Sequence, residues 1–269
     1  GVKQPMEDVQ SSFDDRELPI DLVGVQGLRY PITVRDKAHR RQKTVADLSL
    51  SVSLPHHFKG THMSRFIEVV HEHHDEIGME TLPSIVLALR TRLEAERARI
   101  EVRFPYFIER FAPASGALSL MSYDCRYIAE ANGEGDDFII GVKVPVTTLC
   151  PCSKAISEYG AHNQRGYVDI DIRSARAKSG LPKMVWIEEL VEVGEGAGSA
   201  PVFPLLKRED ERELTMRAYD NPAFVEDVVR HAAAALRNDE RVRWLSVRAE
   251  TIESIHDHSA FAVITWSRD

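Results

Sequence analysis

The sequence predicts an α+β protein built as two tandem ββααββ units. Three observations carry this. Stretches alternating apolar and polar residues flank stretches with helical spacing. The order strand, strand, helix, helix, strand, strand is met twice. A polar break, NGEGDD at 132–137, separates the two passes. An antiparallel sheet with helices on one face keeps exposed edges, and long edge strands invite closure by neighbouring copies. The expectation is therefore a homo-oligomeric barrel. Residues 1–19 read as a flexible arm, 20–134 as the N-terminal unit, and 135–269 as the C-terminal unit with most of the candidate site.

In the first unit, 21–36 (DLVGVQGLRYPITVRD) nearly alternates through Val23, Val25, Leu28, Tyr30, Ile32 and Val34. Residues 43–54 alternate better, through Val45, Leu48, Leu50, Val52 and Leu54. The period then changes. Phe66, Ile67, Val70 and His74 give a helix over 64–77 with Ser64 as cap. Leu82, Ile85, Val86, Leu89 and Leu93 form the stripe of a second helix over 82–95. Strand-like stretches at 97–111 and 116–131 complete the pass.

The second pass opens with strands at 137–149 (Phe138, Ile140, Val142, Val144, Val146) and 165–173 (Tyr167, Val168, Ile170, Ile172). A short helix is expected over 184–193. Another is expected from Asn221 as N-cap, with Pro222 at the first helical position. It presents Phe224, Val225, Val228, Val229, Ala232, Ala233 and Leu236 on one side. Strands at 242–251 and 259–267 close the chain.

Composition narrows the function classes. The chain has 269 residues, 43% hydrophobic and 28% charged, which is globular rather than disordered. Lys+Arg 34 against Asp+Glu 42 gives a net charge of −8. That argues against a general nucleic-acid binder, which needs a basic face. No apolar run of about 18 residues is present to span a membrane, and the polar, acidic start does not read as a signal peptide. Cys125, Cys150 and Cys152 are too few for a disulfide scaffold and fit reduced thiols in the cytoplasm.

Four segments carry chemistry. TTLCPCSKAISEYGAHNQRG (147–166) holds Cys150, Cys152 and His162 after an apolar strand. Thiolate and imidazole are donors that zinc prefers. The spacing is no standard zinc knuckle, and taken alone it leaves buried packing thiols as the alternative reading. TIESIHDHSAFAVI (251–264) offers Glu253, His256 and His258, either as acid–base groups or as a solvated turn. In 205–231 the charge run 207–213 reads as a solvated face. Glu226 there is either a surface carboxylate or an acceptor for paired donors such as guanine N1–H and the 2-amino group. His71, His74 and Asp75 sit at chelating helical spacing, though His-rich helix faces are more often solvated. There is no GxxxxGK[ST] loop, and GEGAGSA (194–200) reads as a mobile loop.

Taken together, LCPCSKAISEYGAHNQRG, GTHMSRF, LLKREDE, RAYDNPAFVEDVVR and ESIHDHSA resemble type IB GTP cyclohydrolase, the prokaryotic metal-dependent first enzyme of folate biosynthesis. The resemblance runs from about residue 20 to the end. It implies the tunnelling fold, with bimodular ββααββ subunits assembling into a barrel. It also implies conversion of GTP and water to 7,8-dihydroneopterin triphosphate and formate, by attack of metal-activated water on guanine C8. One divalent ion, Zn, Mn or Fe, is implied, with no organic cofactor. Its ligands would be Cys150, His162 and Glu211, with Glu209 as the near alternative to the last. His256 would be the proton donor, oriented by Glu253, and Glu226 the guanine anchor. Arg65, Lys154, Arg165, Lys207 and Arg208 are the cations for the triphosphate. A homotetramer with sites at subunit interfaces is implied. The rival readings are another tunnelling-fold purine or pterin enzyme with a Cys nucleophile, and a non-catalytic GTP-binding oligomer.

Overall fold

A computed structural model describes residues 5–269. In chain order its elements are β1 (Ile20–Asp36), β2 (Arg40–Leu54), α1 (Met63–His73), α2 (Leu82–Arg92), β3 (Ala98–Phe111), β4 (Leu118–Asn132), β5 (Gly135–Leu149), α3 (Pro151–Ile156), β6 (Asn163–Ser174), α4 (Ile187–Ala197), β7 (Ala200–Pro201), α5 (Arg208–Asp220), α6 (Val225–Arg237), β8 (Val242–Ile252) and β9 (Ser259–Ser267). The chain divides into two compact units. The first takes the chain up to Phe104 together with Tyr127–Phe138. The second takes Pro105–Arg126 and Ile139–Asp269.

In the first unit β1 pairs with β2 and β2 with β3, all antiparallel, with Leu50 opposite Ile100. Alternation sends Ile32, Val34, Leu48, Leu50, Val52, Ile100 and Val102 inward. They are buried along with Phe66, Val69 and Val70 of α1 and Leu82, Ile85, Val86 and Leu89 of α2. Each such side chain contributes about 1.5–3 kcal/mol of transfer free energy. The β1 register slips between Val25 and Leu28, where Gly27 takes φ +68 without a Cβ clash. Residues 8–14, within the stretch read as an arm, run along 57–62. Asp14 N–H donates to His57 O at 3.1 Å, Lys59 N–H to Ser12 O at 3.0 Å and Gly60 N–H to Gln10 O at 2.9 Å. The histidines weighed above as chelators are engaged within this unit. Tyr30 Oη bonds His71 Nδ1, and His74 Nδ1 donates to His71 O at 2.7 Å.

In the second unit β5 pairs β6, β6 pairs β8 and β8 pairs β9, all antiparallel, while the two-residue β7 pairs β5 at Thr147 and Val146. Val142, Val144, Ile170, Ile172, Leu245 and Val247 form one buried layer. Leu190 and Val191 of α4 and Val228, Val229, Ala232 and Leu236 of α6 are buried with it. Two glycines permit the contact of α4 with β5. A Cβ on Gly194 would fall 2.7 Å from Val144 Cγ2, and one on Gly198 would fall 2.6 Å from Val146 Cβ.

The predicted fold class is corrected. From Gly135 onward the order is β5, α3, β6, α4, β7, α5, α6, β8, β9, which is not a second ββααββ. Hydrogen-bonded neighbours follow β1-β2-β3-β4-β5-β6-β8-β9, a nine-stranded sheet with β7 off that path. The reading of the chain as two tandem ββααββ units is therefore set aside. Three local features hid the difference. The charge run at 207–213 is the start of α5, held by one inward carboxylate, Asp210. The Gly-rich stretch read as a mobile loop is the last turn of α4 followed by β7. Asn221, read as an N-cap, is the C-cap of α5, and α6 begins later with Phe224 as N-cap. Among the described residues no helix is long and apolar enough to cross a membrane.

Candidate active site

The turn between β5 and β6 is fixed residue by residue. Leu149, the last residue of β5, has both backbone groups engaged. Its N–H donates to Ser199 Oγ at 3.0 Å, and its carbonyl accepts from Ala223 N–H at 3.1 Å. Ser199 N–H returns to Thr147 O at 2.9 Å. Ser199 is fully buried, and the Asn221 amide donates to the carbonyls of Gly198 and Ser199 at 3.1 and 3.2 Å. The strand end that carries Cys150 is thus tied to the exits of both α4 and α5.

Cys150 is extended, with φ −70 and ψ 119, and is the N-cap of α3; Pro151 occupies the first turn, where a missing N–H costs nothing. Its sulfur accepts from Ser153 N–H at 3.4 Å. Its own N–H donates to His162 O at 3.1 Å, and His162 N–H donates to Ser153 Oγ at 3.2 Å. The loop between them turns at Gly160, with φ +128, a conformation that favours glycine. The His162 ring bonds through Nδ1 to Gln164 Oε1 at 2.9 Å, and Gln164 Nε2 donates to Thr148 Oγ1 at 2.9 Å. Cys150 and His162 are half-buried and Cys152 is exposed. Cys125 lies elsewhere, buried in β4, where burial pushes its thiol far up.

The remaining candidates are placed as follows. Glu209 and Glu211 are exposed in the first turn of α5, on either side of Asp210. Asp210 is completely buried and accepts from Ala114 N–H, Ser115 N–H, Ser115 Oγ and Lys207 N–H. Burial alone would raise its carboxyl. The Ser115 hydroxyl and the backbone donors of Ser115, Lys207 and Ala114 outweigh that and hold it far below the usual carboxylate range. Glu226 is exposed in the first turn of α6. Glu253, beyond the end of β8, accepts from Thr251 Oγ1 at 2.9 Å. His256 lies in the exposed β8–β9 turn, its ring 5.0 Å from that of His258. Thr251 pairs with Gly166, next to Arg165, which is exposed on β6. Lys207 and Arg208 are exposed at the start of α5. Lys154 is turned to α5: its ammonium donates to Tyr219 O at 2.6 Å and stands 4.2 Å from the Tyr219 ring centroid. Arg65 belongs to the first unit, on α1, and donates to Arg92 O at 3.4 Å.

The structure therefore brings Cys150 and His162 together. Among the described residues no group of three or more His, Cys, Asp or Glu side chains gathers where it could hold a metal ion, so Glu211 does not join that pair here. The pair itself fits a soft divalent ion: a sulfur with one N–H donor on it, and an imidazole whose Nδ1 is occupied and whose Nε2 is not. A groove of about 710 Å³ in the first unit, flanked by Asp21, Arg97, Arg99 and Glu130, contains none of the candidate residues. Spacing and residue type did not single out Gln164, Thr148, Ser199 or Asp210, and Asn221 stood out only as a helix cap. Gln164 lies two residues past His162, near the start of β6, and its type alone carries no signal.

A family model described as type I GTP cyclohydrolase FolE2 matches residues 6–262. The GTP cyclohydrolase FolE2 of Geobacter sulfurreducens is 52% identical over 259 residues, covering 96% of this chain and 97% of that protein. The GTP cyclohydrolase FolE2 of Geotalea uraniireducens is 51% identical over 259 residues, covering 96% and 93%. Among solved structures, a uricase from Bacillus fastidious superposes with a TM-score of 0.53 at 8% identity, covering 91% of this chain and 93% of that one. The urate oxidase of Bacillus subtilis does so at 0.51 and 8%, covering 92% and 98%. At such identities the likeness concerns the fold alone.

Proposed function

This chain belongs to the type I GTP cyclohydrolase family and is a GTP cyclohydrolase I of folate biosynthesis, and from that premise we propose that it is of the metal-dependent type IB, working at the β5–β6 turn. The reaction takes GTP and water to 7,8-dihydroneopterin triphosphate and formate. Cys150 and His162 would hold one divalent ion, Zn, Mn or Fe, with Glu211 as third ligand and Glu209 as its neighbour alternative. A bound ion of this kind supplies a Lewis acid that makes water nucleophilic enough for the poorly electrophilic C8 of guanine.

The chain's own residues do the rest. Glu226, exposed at the start of α6, accepts from guanine N1–H and the 2-amino group, so the base is read by a fork of two donors. His256 gives a proton to an imidazole nitrogen of the base as that ring opens. Glu253, held by Thr251, sits three residues before it in the same turn. Arg165, Lys207 and Arg208 are exposed cations suited to the triphosphate. Arg65 on α1 is a further candidate. Lys154 is better explained as a brace on Tyr219 than as a phosphate ligand. Glu211, Glu226 and His256 are all exposed in a single chain. That supports a homotetramer whose sites are completed at subunit interfaces. Three free thiols support a cytoplasmic setting.

The observation that carries this reading is the clamp between Cys150 and His162, with the ring held at Nδ1. The test is metal analysis of the purified protein beside formate release from GTP. One ion per chain, lost in Cys150→Ala and in His162→Ala together with formate release, is the expected result. Full formate release by metal-free protein, abolished by alkylating Cys150, would instead favour a thiol nucleophile.

A further inference from the structure

We infer that Gln164 is a positioning residue: it fixes His162 in the tautomer that carries its proton on Nδ1 and so keeps Nε2 open as a donor. The inference rests on the metal reading above and adds what decides whether His162 can act in it. A neutral imidazole has one N–H and one lone pair, and the hydrogen bond at one nitrogen dictates the other. Gln164 Oε1 lies 2.9 Å from His162 Nδ1. An amide could present either end to the ring. Here its nitrogen end is on Thr148, whose Oγ1 takes the Gln164 Nε2–H at 2.9 Å; a hydroxyl can equally donate, so Thr148 holds the amide without by itself choosing its end. With nitrogen on Thr148, oxygen faces His162, and an oxygen requires an N–H opposite it.

The arrangement is built into the strand ladder. Thr148 and Gln164 are direct partners in the β5–β6 register. Thr148 is 0% exposed and Gln164 9%. Little water competes for the amide, and an unbonded end would be costly there. The backbone of His162 is fixed separately, by Cys150 N–H and Ser153 Oγ. Position and tautomer are thus set by different groups. A free imidazole in water favours the proton on Nε2, the tautomer that would block donation from that nitrogen. Outer partners that orient a ligating histidine are worth about 10–100-fold in metal affinity.

The test uses the full chain, labelled with ¹⁵N-histidine and stripped of metal, at about pH 8.5, roughly two units above the ordinary histidine value. Long-range ¹H–¹⁵N correlation reads the His162 tautomer, and competition with a fluorescent indicator reads zinc affinity. In the wild type the proton should sit on Nδ1. Gln164→Leu should move it mainly to Nε2 and weaken zinc binding about 10–100-fold. Gln164→Glu keeps an acceptor and should retain both the tautomer and, within a few-fold, the affinity. Gln164→Met, close in length but without the amide acceptor, should likewise move the proton mainly to Nε2; it covers the case in which Gln164→Leu does not fold. An unchanged Nδ1 proton in Gln164→Leu or in Gln164→Met overturns the inference, as does equal zinc loss in the Leu and Glu variants. Failure of the wild type to bind zinc through Cys150 and His162 would overturn the metal reading instead, and the tautomer measurement tells the two apart.

Discussion

The backbone N–H of Cys150 donates to the carbonyl oxygen of His162 at 3.1 Å, so the chain between them closes a loop whose two ends carry the sulfur and the imidazole. This closure does not depend on the cysteine side chain. Cys150→Ala should therefore leave the loop formed, losing only the Ser153 N–H bond to sulfur, a capping contact worth about 0.5–1 kcal/mol. Pterin formation from GTP, read as fluorescence after oxidation, should fall by at least about 100-fold, since a ligand matters no less than its outer partners. Near-normal turnover in a folded Cys150→Ala protein would remove the sulfur from the chemistry.

Ser199 and Asn221 hold the same strand end from the other side. Ser199→Ala leaves the buried Leu149 N–H without its acceptor and should cost about 1–3 kcal/mol in urea unfolding. Asn221→Ala releases the carbonyls of Gly198 and Ser199. Because both act on one short segment, the double variant should deviate from additivity by at least about 0.5 kcal/mol. Strict additivity would mean that the two residues brace independent structures.

How much of this was legible beforehand can be judged at particular residues. Strong alternation, as in Phe138 to Val146 and Leu48 to Leu54, located the β5 and β2 cores, because burial of one face imposes period 2. The Cys150 and His162 pairing was legible as residue type and order, not as geometry. What failed was the second half's connectivity. Nothing in KREDERE shows that Asp210 alone turns inward to bind the backbone of Ala114 and Ser115 in a distant turn. The glycines at 194 and 196 looked like loop punctuation. Gly194 is instead helical because α4 lies against Val144, a tertiary demand that outweighs a propensity penalty of about 1 kcal/mol per glycine. The Thr148–Gln164–His162 chain was hidden because a glutamine in a strand carries no signal until its cross-strand partner is known.

A half-buried ion triad offers a test of packing away from the site. Arg126 donates through Nε to Asp171 and through Nη2 to Asp169, at 2.8 and 2.7 Å. Gly141 leaves the room for it. A Cβ there would fall 2.2 Å from Asp171 Oδ1 and 2.7 Å from Arg126 Nε. Gly141→Ala should destabilise the protein by about 1–3 kcal/mol, the scale of overpacking. Gly133→Ala, whose Cβ would meet only Arg90 Nη2 at 3.6 Å, should stay within about 0.5 kcal/mol of the wild type. Equal effects from the two would show that the triad can move aside at little cost.

Glu195 of α4 accepts from the Tyr123 hydroxyl at 2.7 Å and pairs with Arg110 at 2.7 Å. Burial pushes its carboxyl above the usual range, against the pull of Tyr123 and Arg110. A carboxyl with a raised folded value binds its proton more tightly when folded than when unfolded. Its contribution to stability is therefore fully present below the unfolded value, about 4.3. It declines as pH rises through the folded value and is constant above that. Glutamine keeps the shape and an acceptor for Tyr123 but does not titrate. The stability of the wild type relative to Glu195→Gln should be highest at the acid end and fall with rising pH, measured by urea unfolding across a pH series. A difference that grows with pH would mean that Arg110 outweighs burial and that the carboxylate, not the acid, is the form this fold prefers.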